Sequence, residues 1–93
     1  MDTPLPTPVD MVEEAKYVIR EIEQHLFPAY RQEASESACV DLAASMREHK
    51  KVLKQEGMTP VSAAEALAAV SHLYFKVLKE LEMHGRTLQV TSV

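Results

Sequence analysis

Pro60-Val-Ser-Ala-Ala-Glu-Ala-Leu-Ala-Ala-Val-Ser-His-Leu-Tyr-Phe-Lys-Val-Leu-Lys-Glu-Leu-Glu-Met83 decides the reading of this 93-residue chain, because 15 of these 24 residues are apolar. Placed about 100° apart around a helix axis, Ser62, Glu65, His72, Lys76, Lys79 and Glu80 gather within roughly a third of the circumference. Two apolar seams fill the rest at 3,4 spacing. One runs Ala64, Leu67, Ser71, Tyr74, Leu78, Leu81, and the other runs Ala63, Ala66, Val70, Leu73, Val77. A helix that packs on a single surface needs an apolar arc of roughly 100°, and this segment offers about twice that, so it is expected to meet helices on two sides. The larger side chains of the Leu67, Tyr74, Leu78, Leu81 seam are expected to face the rest of the chain. Ala63, Ala66, Val70, Leu73 and Val77 are then the expected interface to a partner, with small alanines that allow close helix approach.

Helix starts and stops frame the remainder. Thr7-Pro8-Val9-Asp10 and Thr59-Pro60-Val61-Ser62 both read as starts: a threonine cap, then proline at the first helical position, with Asp10 adding charge that favours the positive end of the first helix dipole. The likeness of the two starts raises internal duplication, which the remaining positions do not carry. Val12, Ala15, Ile19, Ile22 and Leu26 give the first helix an amphipathic line, and Pro28 is expected to end or kink it. A short extra turn follows through Tyr30 to Ala34. Ser35 or Ser37 caps the second helix, whose apolar line is Cys39, Leu42, Met46, His49, Leu53, and Gly57 is its expected left-handed stop. The third helix is expected to stop near His84 at Gly85. Short connections make consecutive helices antiparallel. The expected organisation is a disordered segment at 1–6, an all-α, up-down-up three-helix bundle at 7–85 that dimerises through the third helix, and a flexible or strand-like tail at 86–93.

Composition narrows the function. Ninety-three residues make one modest domain, and 5% aromatic residues, no Trp and two Gly favour helices over sheet. A net charge of −4 disfavours nucleic acid and anionic membrane as partners. The single Cys39 makes no internal disulfide, the first residues lack a signal-peptide pattern, and Ala63 to Phe75 is short for a bilayer span. A soluble, cytoplasmic protein is expected.

The chemistry-bearing residues are few. No Glu-x-x-His occurs; Glu21 and His25 share a face with Asp10 and Glu14, more in the manner of an exposed acidic stripe than of a zinc site. His49, on an apolar line between Met46 and Leu53, is either a satisfied boundary residue or a pH-sensitive lock. Cys39 lies on the core side of its helix, where a thiol is inert. No phosphate-cradling Gly loop and no nucleophile-base pair are present, so neither catalysis nor a cofactor or metal is expected. Arg47, Lys50, Lys51 and Lys54 form a basic flank on the second helix. It suits solvation, pairing with Glu14 and Glu21, a charged protein partner or, less well, nucleic acid. Thr91-Ser92-Val93 is similar to the C-terminal ligands of PDZ domains, and the tail around it alternates like a strand that augments a sheet. The sequence thus points to a small non-enzymatic interaction module of adaptor, regulator or inhibitor type, whose partner is itself, another protein, or both. A nucleic-acid-associated regulator and a small metal-binding bundle stand as alternatives.

Overall fold

A computed structural model describes residues 7–92, with side chains described for residues 7–83. The fold is all-α, with no strand among the described residues. Its elements are α1 (Pro8–Glu21), a π-helical turn (Ile22–Leu26), α2 (Phe27–Glu33), α3 (Glu36–Leu53) and α4 (Pro60–Ser92).

Side chains close the helix starts where the sequence places them. The Thr7 hydroxyl accepts from the Asp10 N–H at 3.1 Å, while the Asp10 carboxylate accepts from the Thr7 N–H at 3.3 Å, a reciprocal capping box. The Ser35 hydroxyl accepts from the Ala38 N–H at 3.2 Å, and that of Thr59 from the Ser62 N–H at 3.0 Å. Stops behave differently. α3 already ends at Leu53, with Lys54 as its cap, so Gly57 (φ 66°) turns the following loop rather than the helix end. Gly85 stops nothing: α4 continues to Ser92, so the expected stop and the strand-like backbone after it are corrected. A helix-interior glycine costs only about 1 kcal/mol relative to alanine, and no proline follows it to enforce termination. The expected disorder at 1–6 lies outside the described residues.

Pro28 neither ends the first helical path nor breaks it. Its ring would clash with the carbonyl four residues back, at Gln24. The π-turn lies immediately upstream, marked by the Phe27 N–H donating to the Ile22 carbonyl, and widens the backbone there. That insertion also sets the core. Eight residues of plain α-helix would leave Tyr30 roughly 80° around the axis from Ile22, whereas one extra residue in the turn brings it back to within about 20°. Ile22 is fully buried and Tyr30 is 7% exposed.

The interior divides into two clusters. Ala15, Ile19, Leu53, Ala66 and Val70 form the first, with Val12, Met58 and Leu67 against it. Ile22, Tyr30, Leu42, Met46 and Val77 form the second, flanked by Leu26, Phe27, Cys39, Leu73, Tyr74 and Leu81. Val18 packs on both. α4 packs chiefly on α1 and more sparingly on α2 and α3. A thickness of only 18 Å between Cα extremes corresponds to about two helix layers.

Tyr30 ties α2 to α4 as well as filling the second cluster. Burial, and then the Glu80 carboxylate that accepts from its hydroxyl, push its pKa from 10.0 up to about 12. Between those two values the unfolded chain releases this proton and the folded chain keeps it, so stability falls as pH rises through that window. Urea unfolding across the window should show this slope in the parent and lack it in Tyr30→Phe, and an equally steep fall in the variant contradicts the assignment.

Candidate interaction surface on α4

The side of α4 that faces its own chain is the one expected to face a partner. Ala63 and Val70 are fully buried, Val77 is 2% and Ala66 8% exposed, and Leu73 packs on the second core cluster. The interface expected at Ala63, Ala66, Val70, Leu73 and Val77 is therefore corrected: these residues are core. The physical reason is the closeness of the α1–α4 contact. Small and β-branched side chains, Ala15 and Ile19 on one helix and Ala66 and Val70 on the other, share one cluster, and bulkier groups would hold the axes apart. Leu67, Tyr74 and Leu81 pack at the margins of the two clusters, so both seams contribute to the interior.

What α4 leaves outside is a different line: Val61, Ala64, Ala68, Ser71, Phe75 and Leu78, again at 3,4 spacing. Val61 is 68% and Phe75 65% exposed. Ala64 and Ala68 are exposed, while Ser71 and Leu78 are half-buried. Phe75 sits edge-on to the Tyr74 ring, with centroids 5.5 Å apart and planes at 87°, which steadies the outward ring. Beside it, Phe75, Leu78, Lys79, Glu82 and Met83 line a shallow recess. α3 covers another flank of α4, for Asp41, Leu42 and Ser45 share a recess with Leu73, Lys76 and Glu80. Of the outward line, the sequence reading placed only Ala64, Ser71 and Leu78 in the larger seam and left Val61, Ala68 and Phe75 in neither; its exposure depends on which flank α1 takes.

The Pro60–Met83 segment is, by length and composition alone, apolar and long enough to cross a membrane, with mean hydropathy 1.2 over its most apolar window and 22% of that window buried in the fold. The shorter Ala63 to Phe75 run understated its reach.

The other candidate residues are dispersed. His49 is half-buried in a recess between α3 and α4 lined also by Val52, Met58, Glu65 and Ala69. On the basic flank, the Lys50 ammonium donates to the Glu23 carboxylate at 2.6 Å, and Lys51 lies 3.7 Å from Glu48. The acidic neighbour is thus Glu23 of the π-turn, where Glu14 and Glu21 were expected, because Glu23 continues the helix face of Lys16, Ile19 and Arg20 that meets Lys50. Arg47 and Lys54 are exposed. Lys50 and Lys54 share a groove of about 430 Å³ with Lys16 and Arg20 of α1, over Ile19 and Leu53. His25 lies 3.8 Å from Glu21, and among the described residues no three His, Cys, Asp or Glu side chains converge as metal ligands would. Cys39 is half-buried. Val93, which ends the PDZ-like tail, lies outside the described residues. The chain matches no known protein family, no curated protein and no solved structure.

Val70→Asp and Val77→Asp place an unpaired carboxylate in the core and are expected to cost about 3 to 5 kcal/mol of folding stability, well beyond any loss of association. Circular dichroism melts at low protein concentration measure this, and a variant that keeps the parental midpoint would contradict the burial.

Proposed function

We propose that this chain is a small non-enzymatic protein–protein interaction module, of adaptor, regulator or inhibitor type, that works as a homo-oligomer through the outward line of α4. The observation that carries the reading is Phe75, a large apolar side chain 65% exposed in mid-helix, in register with Val61, Ala64, Ala68 and Leu78. Single exposed apolar residues are ordinary, whereas a line of them along one helix is the form of a helix-to-helix contact. The path of the chain is read as up-down-up. In support, Ala15 and Ile19 of α1 and Ala66 and Val70 of α4 share a cluster with Leu53 at the end of α3, while Ile22 and Tyr30 farther along the first path and Val77 farther along α4 share one with Leu42 and Met46, earlier in α3.

A protein partner suits this surface better than a bilayer. Glu65, Lys76, Lys79 and Glu82 are exposed on the same helix, and each charge carried to a bilayer centre costs about 2.5 to 3.5 kcal/mol on insertion scales. A cytoplasmic setting accords with the lone thiol of Cys39.

The groove shared by Lys16, Arg20, Lys50 and Lys54 favours a second reading, contact with nucleic acid, because cations from two helices meet there. Its weight is reduced by Glu23, which already takes Lys50, and by the net charge of −4. With no third ligand joining Glu21 and His25 among the described residues, the metal-binding alternative has little support.

Sedimentation velocity over micromolar to tens-of-micromolar concentrations tests the first reading. The parent is expected to exceed its 10.4 kDa monomer mass. Phe75→Glu should run as a monomer whose stability stays within about 0.5 kcal/mol of the parent, as for other surface substitutions. A parent that remains monomeric throughout overturns homo-oligomerisation.

A further inference from the structure

Resting on the reading of the outward α4 line as a protein interface, we infer that its occupant is the same helix of a second copy, lying antiparallel in one defined register. That register sets Val61 against Leu78, Ala64 against Phe75 and Ala68 against Ser71.

The 3,4,3,4,3 spacing of the line makes its residues alternate as the a and d positions of a heptad. Antiparallel pairing puts an a residue of one helix opposite a d residue of the other. A single two-fold axis between positions 69 and 70 relates all three pairs, each counted twice across the dimer. Sizes match in this register. The Phe75 ring, the largest group on the line and 65% exposed, meets the smallest, Ala64, while Ala68 and Ser71 near the axis let the backbones approach.

Charge selects the same direction independently. Glu65, His72 and Lys79 are exposed along one edge of the line, all at heptad position e. In an antiparallel pair that edge meets its own counterpart, so Glu65 of each copy comes beside Lys79 of the other. In a parallel, in-register pair it would meet the opposite edge, Leu67, Tyr74 and Leu81, which offers no countercharge. Size and charge complementarity thus name a second copy of this chain, antiparallel, as the occupant.

The test is the dimerisation constant of Glu65→Lys, Lys79→Glu and the double variant, with both substitutions on exposed positions where the fold tolerates them. Each single change should weaken dimerisation on the order of tenfold, as two exposed ion pairs become two repulsions. The double variant should return to within about threefold of the parent, because the pairs are re-formed with signs exchanged. Nitroxide labels in a Cys39→Ser background supply a readout that charge alone does not move. Labels at Ala69→Cys should lie near the two-fold axis, while those at Lys76→Cys stand about 20 Å farther apart along the helix direction. Failure of the double variant to recover, or equal separations at the two positions, overturns the antiparallel register while leaving the interface reading in place. A parent that is monomeric, or that binds only a different protein, overturns homo-oligomerisation and the antiparallel register together.

Discussion

The close contact between α1 and α4 is the constraint from which the other features of the molecule follow. Ala15 and Ile19 meet Ala66 and Val70, with Ala63 fully buried beside them. A contact made of small and β-branched side chains brings two helix axes together and commits the middle of α4's apolar arc to the interior. Burying a valine such as Val70 contributes about 1.5 to 3 kcal/mol, and the alanines contribute mainly by permitting the approach. Once that arc is committed, α3 covers one flank of α4, and the opposite flank, from Val61 to Leu78, stays outside. The 18 Å thickness expresses the same economy: two layers, with one side of the long helix uncovered.

The π-turn is the second determinant, and it depends on Pro28. A proline in mid-helix has to be accommodated upstream, and the residue inserted there rotates everything after it. The rotation brings Tyr30 into line with Ile22, and hence into contact with the second cluster, while Glu23, at the start of the turn, stays on the face that meets α3, where Lys50 takes it at 2.6 Å. Both members of that pair are more than a third exposed, so its contribution is small, within about 1 kcal/mol. Its use is positional. Together with the Tyr30–Glu80 contact it anchors the segment around Pro28 to both neighbouring helices.

Much of this was legible in the residues. The caps at Thr7, Ser35 and Thr59 are local chemistry, decided within four residues, and the sequence carries that information completely. The surplus of apolar surface on α4 was legible too, as an arc too wide for one contact. Which part of the arc turns inward was not, because it depends on how closely α1 can approach, a pairwise property that neither helix displays alone. Side-chain volume suggested that Tyr74 and Leu78 should lead the interior. Closeness of approach instead gave that place to Ala63, Ala66 and Val70. Gly85 misled for a related reason: a glycine ends a helix only when the chain after it has somewhere to turn.

An outward line of apolar residues on a well-anchored helix is a surface that association can complete without rearranging the core. Whether the inner seam belongs to the chain itself can be measured directly from methyl contacts in a mixed sample of isotope-labelled and unlabelled protein. The account predicts strong nuclear Overhauser effects from the Val70 methyls to Ile19 and from the Val77 methyls to Ile22, all within one chain. Contacts from Val70 and Val77 to a second copy, in place of those to Ile19 and Ile22, would contradict it.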